Sequence, residues 1–259
     1  MQTVLFHSTI FGPIKSRRLG VSLGVNLTPD DGKICSFDCL YCEAGFNAQG
    51  KGTTGFSPRE EVARLLELKL RAMSEAGEPL DVITFSGNGE PTLHPEFEAV
   101  IQDTIALRDK YYPEAKVSVL SNATRADDSS VARALRLVDN NILKLDSAVT
   151  STMRLLDRPG SKAYTSEKAI DNIKAFRGEC VVQTMLTRGE HEGKIVDNTT
   201  PAELDALIEA YKIIEPREVM IYSLDRPSPE KSLQKVTREE LEAFGRRVRE
   251  EAGVSVQVV

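Results

Sequence analysis

The stretch Cys35-Ser36-Phe37-Asp38-Cys39-Leu40-Tyr41-Cys42 puts three thiols within eight residues, spaced C-x3-C-x2-C, and the fourth cysteine of the chain stands far away at Cys180. Three clustered thiolates can hold three irons of a [4Fe–4S] cube and leave the fourth iron without a protein ligand. An iron open on one side is a coordination site, so the spacing points to chemistry rather than to a closed structural plug. Two plainer readings compete with this one. A structural zinc site is usually four-coordinate and closed, commonly with paired C-x2-C ligands from two places. Only one such pair exists here, and His7, His94 and His191 are not at ligand spacing to it. A disulfide framework fits neither four cysteines in a chain of 259 residues nor the lack of a secretory signal.

Outward from the cysteines, the chain alternates between apolar strands and amphipathic helices. Val21 to Leu27 reads as a strand that delivers the cysteine loop at its C-terminal end. The loop runs on through Gly45, Gly50, Gly52 and Gly55, too rich in glycine for a helix. Upstream, residues 3–8 read as a short strand or arm, and Gly12-Pro13-Ile14-Lys15-Ser16-Arg17-Arg18-Leu19-Gly20 as a basic turn. Downstream, Ser57-Pro58-Arg59-Glu60 has the pattern of a capping box with proline at the first helical position, before a stripe of Val62, Leu65, Leu66, Leu70 and Met73. Strands are expected at 81–86, 116–120, 141–146, 180–186 and 218–222, with an edge strand at 254–259. Helices are expected at 95–110, 128–138 and about 164–177 with Ile170, Ile173 and Phe176 inward, then from Thr200 to Ile213 and from Thr237 to about Glu251. About six βα units with nearly all-apolar strands imply a parallel sheet covered by helices. Right-handed crossovers permit a doubly wound sheet or a barrel, and the pattern alone does not separate them.

Composition sets the outer bounds. With 41% hydrophobic and 28% charged residues, the chain can bury one large core, and a single domain over 1–259 with an N-terminal arm over 1–20 is expected. The N-terminus has no basic segment followed by an apolar one, and no apolar run approaches the roughly 20 residues that span a bilayer. A soluble cytoplasmic protein without membrane partners follows as the expectation. The net charge of −6 argues against bulk, salt-driven binding of nucleic acid.

In parallel α/β folds, functional residues collect at the C-terminal ends of strands. After the second strand comes Ser86-Gly87-Asn88-Gly89-Glu90-Pro91, where two glycines let backbone approach a ligand and Glu90 offers an anionic acceptor for an ammonium. After the third strand, the hydroxyl of Ser121 and the amide of Asn122 suit a ribose or a carboxylate, or equally a helix-capping turn. Lys144 and Asp146 are two apart on one strand face, where unpaired charges would be costly, so they need each other or a polar ligand. Gln183 and Met185 share a face likewise, with Gln183 able to touch a nucleoside and Met185 reading as core. Cys180 begins a strand and reads as a buried structural thiol.

The cysteine run, with Tyr41 just before its last cysteine, resembles the cluster motif of the radical S-adenosylmethionine enzymes. Gly87-Asn88-Gly89-Glu90 is similar to that family's glycine-glycine-glutamate motif, which meets the amino group of S-adenosylmethionine, with Asn88 inserted. Ser121-Asn122 resembles its third-strand motif. The segments from Gly12 to Gly20, Ser22 to Gly24, Phe85 to Leu93 and Leu156 to Pro159 look like one branch, small iron–sulfur oxidoreductases related to the tRNA wyosine-base synthases. The chain departs from the full synthases in having neither a flavodoxin-like domain nor a second cysteine cluster.

The resemblance implies a partial (β/α)6 barrel and a [4Fe–4S] cluster on Cys35, Cys39 and Cys42. It further implies that S-adenosylmethionine chelates the open iron and is cleaved to methionine and a 5′-deoxyadenosyl radical. Tyr41, Gly87, Asn88, Gly89, Glu90, Ser121, Asn122, Lys144, Asp146 and Gln183 are the expected cofactor-binding set. A reducing partner of the flavodoxin or ferredoxin type is implied, with tRNA as one possible substrate. At the barrel mouth, Arg17, Arg18 and Arg226 are expected to hold an anionic part of the substrate, with Arg188 and His191 also on the rim; otherwise the arginines only pair with carboxylates. Two other functions share these motifs in whole or part: an activating enzyme that installs a glycyl radical on a partner protein, and a non-enzymatic metal-binding module.

Overall fold

The computed structural model describes residues 4–16, 19–226 and 228–259. A hairpin opens the fold, with β1 (Ile10–Ser16) antiparallel to β2 (Gly20–Val25). Then follow α1 (Arg59–Glu75), β3 (Val82–Phe85), α2 (Phe97–Tyr111), β4 (Lys116–Ser121), α3 (Ser129–Leu137) and β5 (Asn140–Lys144). The second half comprises α4 (Thr150–Leu156), α5 (Ser166–Lys174), β6 (Cys180–His191), β7 (Lys194–Asp197), α6 (Pro201–Ile214), β8 (Glu218–Ser223), β9 (Gln234–Lys235), α7 (Arg238–Arg247) and β10 (Ser255–Val258). The sheet order is β1-β2-β3-β4-β5-β6-β8-β10, with β7 and β9 paired to β6 alone. From β2 to β10 every neighbour along that path is parallel.

Alternation along each strand divides the sheet into an outer and an inner face. Leu23, Val25, Ile83, Phe85, Val117, Val119, Leu143, Val182, Val219 and Ile221 face outward and are buried in one core with Val62, Leu66, Leu70 and Met73 of α1 and the other helices. Their partners in the alternation, Ser22, Gly24, Thr84, Leu120, Ile142, Gln183 and Met220, line a single cavity of about 210 Å³. Side chains from six parallel strands can share one cavity only if the sheet curls around it. Among the described residues, β1 and β10 do not pair, so the curl stays open on one side. The fold is therefore a partial (β/α)6 barrel. No described helix is long and apolar enough to cross a membrane.

Several local expectations need correction. The basic turn at 12–20 is instead strand as far as Ser16. Gly24 of β2 has no side chain, so the ring of Phe11 lies across it, and a Cβ there would overlap that ring. Pro13 is tolerated because β1 is the sheet edge, where a missing N–H breaks no interior ladder. Arg17 and Arg18 lie outside the described residues. Residues 4–9 form the arm without strand structure, and Phe6 stacks on Phe11 at 3.8 Å. The capping box before α1 does not form. The Ser57 hydroxyl pairs with Thr9, and Pro58 precedes the helix without a side-chain cap. Before α6, Thr200 accepts from the Glu203 N–H, but the Glu203 carboxylate turns inward to the Ser147 and Thr152 hydroxyls. The box expected before α7 does form, with the Thr237 hydroxyl accepting from the Glu240 N–H and the Glu240 carboxylate from the Thr237 N–H. Helix α4 and the β6–β7 hairpin were not expected. The hairpin turns on Glu192 (φ 50°) and Gly193 (φ 76°), and two consecutive left-handed residues are what a tight right-twisted hairpin requires.

Candidate metal centre

The loop after β2 lies along the C-terminal strand ends, as the parallel fold dictates. Its seat on one side is Gly89. Ile34 forms a bridge with Gly89 and its carbonyl accepts the Glu90 N–H at 3.0 Å, while any Cβ on Gly89 would overlap that carbonyl. On the other side, the segment after α4 runs beside the loop. Asp38 N–H donates to the Asp157 carbonyl (3.0 Å), Leu40 N–H to Leu156 (2.9 Å), and Gly160 N–H to Ser36 (2.8 Å). The loop is thus laced to both halves of the barrel. Cys35, Cys39 and Cys42 are free thiols and only partly buried, whereas Cys180 is buried at the start of β6.

Sequence reading did not single out Lys33, and the structure brings it to the thiols. Its ammonium is buried, donates to the Gly45 carbonyl at 2.8 Å and stands 3.6 Å from Asp38. Burial alone would favour the neutral amine, but Cys42, Cys35, Cys39 and Asp38 together hold the group above its ordinary value. Two N–H groups point at the Cys35 sulfur, from Phe37 backbone (3.4 Å) and the Asn122 amide (3.6 Å). Burial, with Glu90 beside it, pushes the Cys35 thiol up to about 12, and burial pushes Cys39 well above its ordinary value against the pull of Lys144. Metal binding here must therefore displace protons. Among the described residues, no three histidine, cysteine or carboxylate side chains gather on a single ion position. A cube takes one thiolate per iron, so three thiols on one loop suffice for it, whereas a closed tetrahedral zinc site needs a fourth ligand. A buried ammonium and sulfur-directed N–H donors suit a cluster made anionic by three thiolates. The donor set fits the cluster.

The Gly87–Glu90 turn has a different internal logic from the one its sequence suggested. Asn88 is buried and its side chain is fully engaged by the protein. Its Oδ1 accepts from Phe6 N–H, and its Nδ2 donates to the carbonyls of Phe6 (2.9 Å) and Pro29 (2.8 Å). It clamps the N-terminal arm to the cysteine loop. Gly87 leaves room for the Asn26 side chain, which accepts the Asn88 N–H. Glu90 is buried too. Its Oε1 accepts from Thr92 N–H (3.1 Å), Thr92 hydroxyl (2.6 Å) and Ser121 hydroxyl (2.8 Å), and its Oε2 from Asn122 N–H (2.8 Å). Burial raises its pKa while those four donors lower it, and the net shift is upward. Ser121 and Asn122 thus serve Glu90 and Cys35, and the cap of α3 is Asp128 instead.

Lys144 and Asp146 do pair, and they recruit Tyr41. The ammonium contacts the Tyr41 hydroxyl and Asp146 and stands 2.8 Å from Asp157, while the Tyr41 hydroxyl donates to Asp146. Burial pushes the Asp157 carboxyl up to about 7, with Lys144 pulling it down and Asp146 pushing it up. Asp146 also accepts the Met185 N–H at 2.9 Å, and Met185 packs in a small core with Leu40 and Leu156 as expected. Next to this group, Tyr41, Met185, Tyr222 and Ser223 help line a cavity of about 240 Å³. Gln183 lies apart, in the barrel cavity, 3.6 Å from the Met220 sulfur. Arg226 lines both cavities and pairs with Glu43 at 2.6 Å. Arg188 pairs with Glu240 and His191 with Glu230.

The sequence profile of the Radical SAM superfamily matches residues 31–199. A curated relative, the UPF0026 protein of Helicobacter pylori (strain J99), is 30% identical over 236 residues, covering 90% of this chain and 71% of the relative. Among solved structures, a radical SAM methyltransferase from Sphaerobacter thermophilus superposes with a TM-score of 0.66 at 17% identity, over 92% of this chain and 65% of its own length. TYW1 with a lysine-pyruvate adduct bound gives 0.63 at 17% identity, over 91% of this chain and 76% of its own. Both likenesses are of fold.

Proposed function

Because the chain belongs to the Radical SAM superfamily, whose cofactors are a [4Fe–4S] cluster and S-adenosylmethionine, we propose that it is an iron–sulfur enzyme that abstracts a hydrogen atom from an organic substrate. Cys35, Cys39 and Cys42 would hold the cluster. When bound, the cluster and S-adenosylmethionine supply one electron and a 5′-deoxyadenosyl radical. The observation that carries the reading is the seating of a three-thiol loop on Gly89, beside a buried Lys33 and the Asn122 amide. What the chain contributes is position. Glu90 fixes the ends of β3 and β4 together through Ser121 and Asn122, and its Oε2 keeps an acceptor site for an ammonium. The Tyr41 and Tyr222 rings with Met185 offer a surface for a flat base beside the Lys144–Asp146 pair.

The substrate would lie in the barrel cavity, shielded from water, because a short-lived radical needs its target hydrogen in van der Waals reach. Arg226, at the border of both cavities, would exchange Glu43 for an anionic group of that substrate, of which a nucleotide of tRNA is one instance. Anaerobic reconstitution, a strong reductant and chromatography test the core of the proposal, with 5′-deoxyadenosine and methionine as the expected products. Bound zinc with no iron absorbance would sink it. Deuterium passing from a candidate substrate into 5′-deoxyadenosine identifies that substrate.

A further inference from the structure

A cleft of about 370 Å³ is lined by Asn140, Val181 and Glu218, which stand at or next to the first residues of β5, β6 and β8. The strands from β2 to β8 run parallel, and the cysteine loop follows the C-terminal end of β2. The cleft therefore opens at the end of the barrel away from the thiols. Leu19, Ile142 and Met220 line both this cleft and the barrel cavity, so they form a floor one side chain thick between the two. We infer that the cleft is a binding site for a free α-amino acid with an apolar side chain, separate from the substrate cavity above it. The inference does not depend on the enzymatic reading.

The cleft holds a cation fixed in place. Arg217 N–H donates to the Cys180 carbonyl at 2.9 Å, and its side chain reaches past β6 to the start of β5. There both Nη atoms donate to the Asp139 carbonyl at 3.3 Å, and Nη2 donates to Asn140 Oδ1 at 3.2 Å. Asn140 is itself anchored, its Nδ2 donating to the Ser118 hydroxyl at 2.9 Å. All these acceptors are neutral, so the exposed guanidinium is oriented in advance and keeps its full charge. Beside it stands the half-buried Glu218, which faces the cleft with Met220 by alternation along β8. Among the described residues neither Arg217 nor Glu218 has an ion-pair partner, and they do not pair with each other. The remaining wall is apolar: Ile142, Val181 and Met220 are buried in one small cluster, with Leu19 packed against it. Gln257, level with Met220 on β10, adds a carboxamide. A simple anion would be repelled by Glu218 and a simple amine by Arg217, whereas a zwitterion satisfies both. Its carboxylate would take the guanidinium, its ammonium Glu218, and its side chain the Ile142–Val181–Met220 wall.

The test is calorimetric binding of L-leucine to the reconstituted full-length protein. 4-Methylpentanoate, 3-methylbutylamine and glycine each lack one of leucine's three parts, and each should bind about ten-fold more weakly or worse. Arg217→Lys keeps the charge but loses the fork, and Glu218→Gln keeps the shape but loses the charge. Either should weaken leucine binding by about ten-fold, while Arg226→Ala, in the cavity above, should leave it unchanged. Both cleft substitutions are conservative, and a melting curve of each variant shows that it is folded. No heat of binding with leucine at about 10 mM overturns the inference. So does an acid or an amine that binds as tightly as leucine. Binding lost in Arg226→Ala but kept in both cleft variants would place leucine in the barrel cavity and overturn it equally. Iron content is measured separately, so failure of the enzymatic reading is seen without leucine.

Discussion

Gly89 and Asn122 show how a few side chains hold the metal loop in register. Replacing Gly89 with Ala would drive a methyl group into the Ile34 carbonyl, with backbone on both sides of the clash. Overpacking of this kind costs about 1–3 kcal/mol. Iron retained after reconstitution should fall by about half or more while Cys180, far from the loop, reacts as before. Asn122→Ala should leave iron content intact and lower the midpoint potential of the cluster in an EPR-monitored titration, because a donor to the Cys35 sulfur is lost. An unchanged potential would show that the amide is only structural. The thiols were legible from their spacing alone. Lys33 was not, since nothing in its local sequence shows a buried ammonium, and the Asn122–Cys35 contact spans 87 positions. Asn88 is a like case, because its amide pairs with backbone groups 59 and 82 positions away that its sequence neighbours do not announce.

Among the elements, the parallel strands were readable because both their faces are buried, which leaves unbroken apolar runs. The β1 edge and the β6–β7 hairpin were not, because an edge strand with proline and a polar flap lack that signature. Helix α4 was missed because seven residues hold too few turns to show a period. Helix α6 gives a clean stability test. Thr200→Ala removes the acceptor for Glu203 N–H and should cost about 1 kcal/mol in urea unfolding, with no change in m. Asp139 gives a pH test. It accepts the Val117 N–H and pairs with Arg108 and Lys116, joining β4, α2 and the start of β5. Burial raises its pKa, but those partners more than offset it, and the folded value lies below the ordinary 3.8. A carboxyl lowered by folding stabilises fully above its unfolded pKa and loses that contribution as pH falls through the folded one. Asp139→Asn should therefore lower stability at neutral pH and narrow its gap to the wild type below about pH 4, as followed by urea midpoints.

For the molecule as a whole, the curl of the sheet was beyond pattern reading. Inner residues such as Ser22, Thr84 and Gln183 reveal a barrel only once they are seen to share a cavity. The lacing of the cysteine loop has a consequence for how the protein is made. Cys42 leaves the ribosome long before the strip at residues 156–160 that its loop binds, and at roughly 5–20 residues per second the delay is about 6 to 23 s. During that interval the thiols lack the backbone of Leu156 and Asp157 to orient them, and for most of it the Asn122 amide as well. Iron delivery should therefore wait for the completed chain. Ribosome-bound nascent chains stalled before Ala115 should take up little labelled iron, and released full-length chains should take up a full complement.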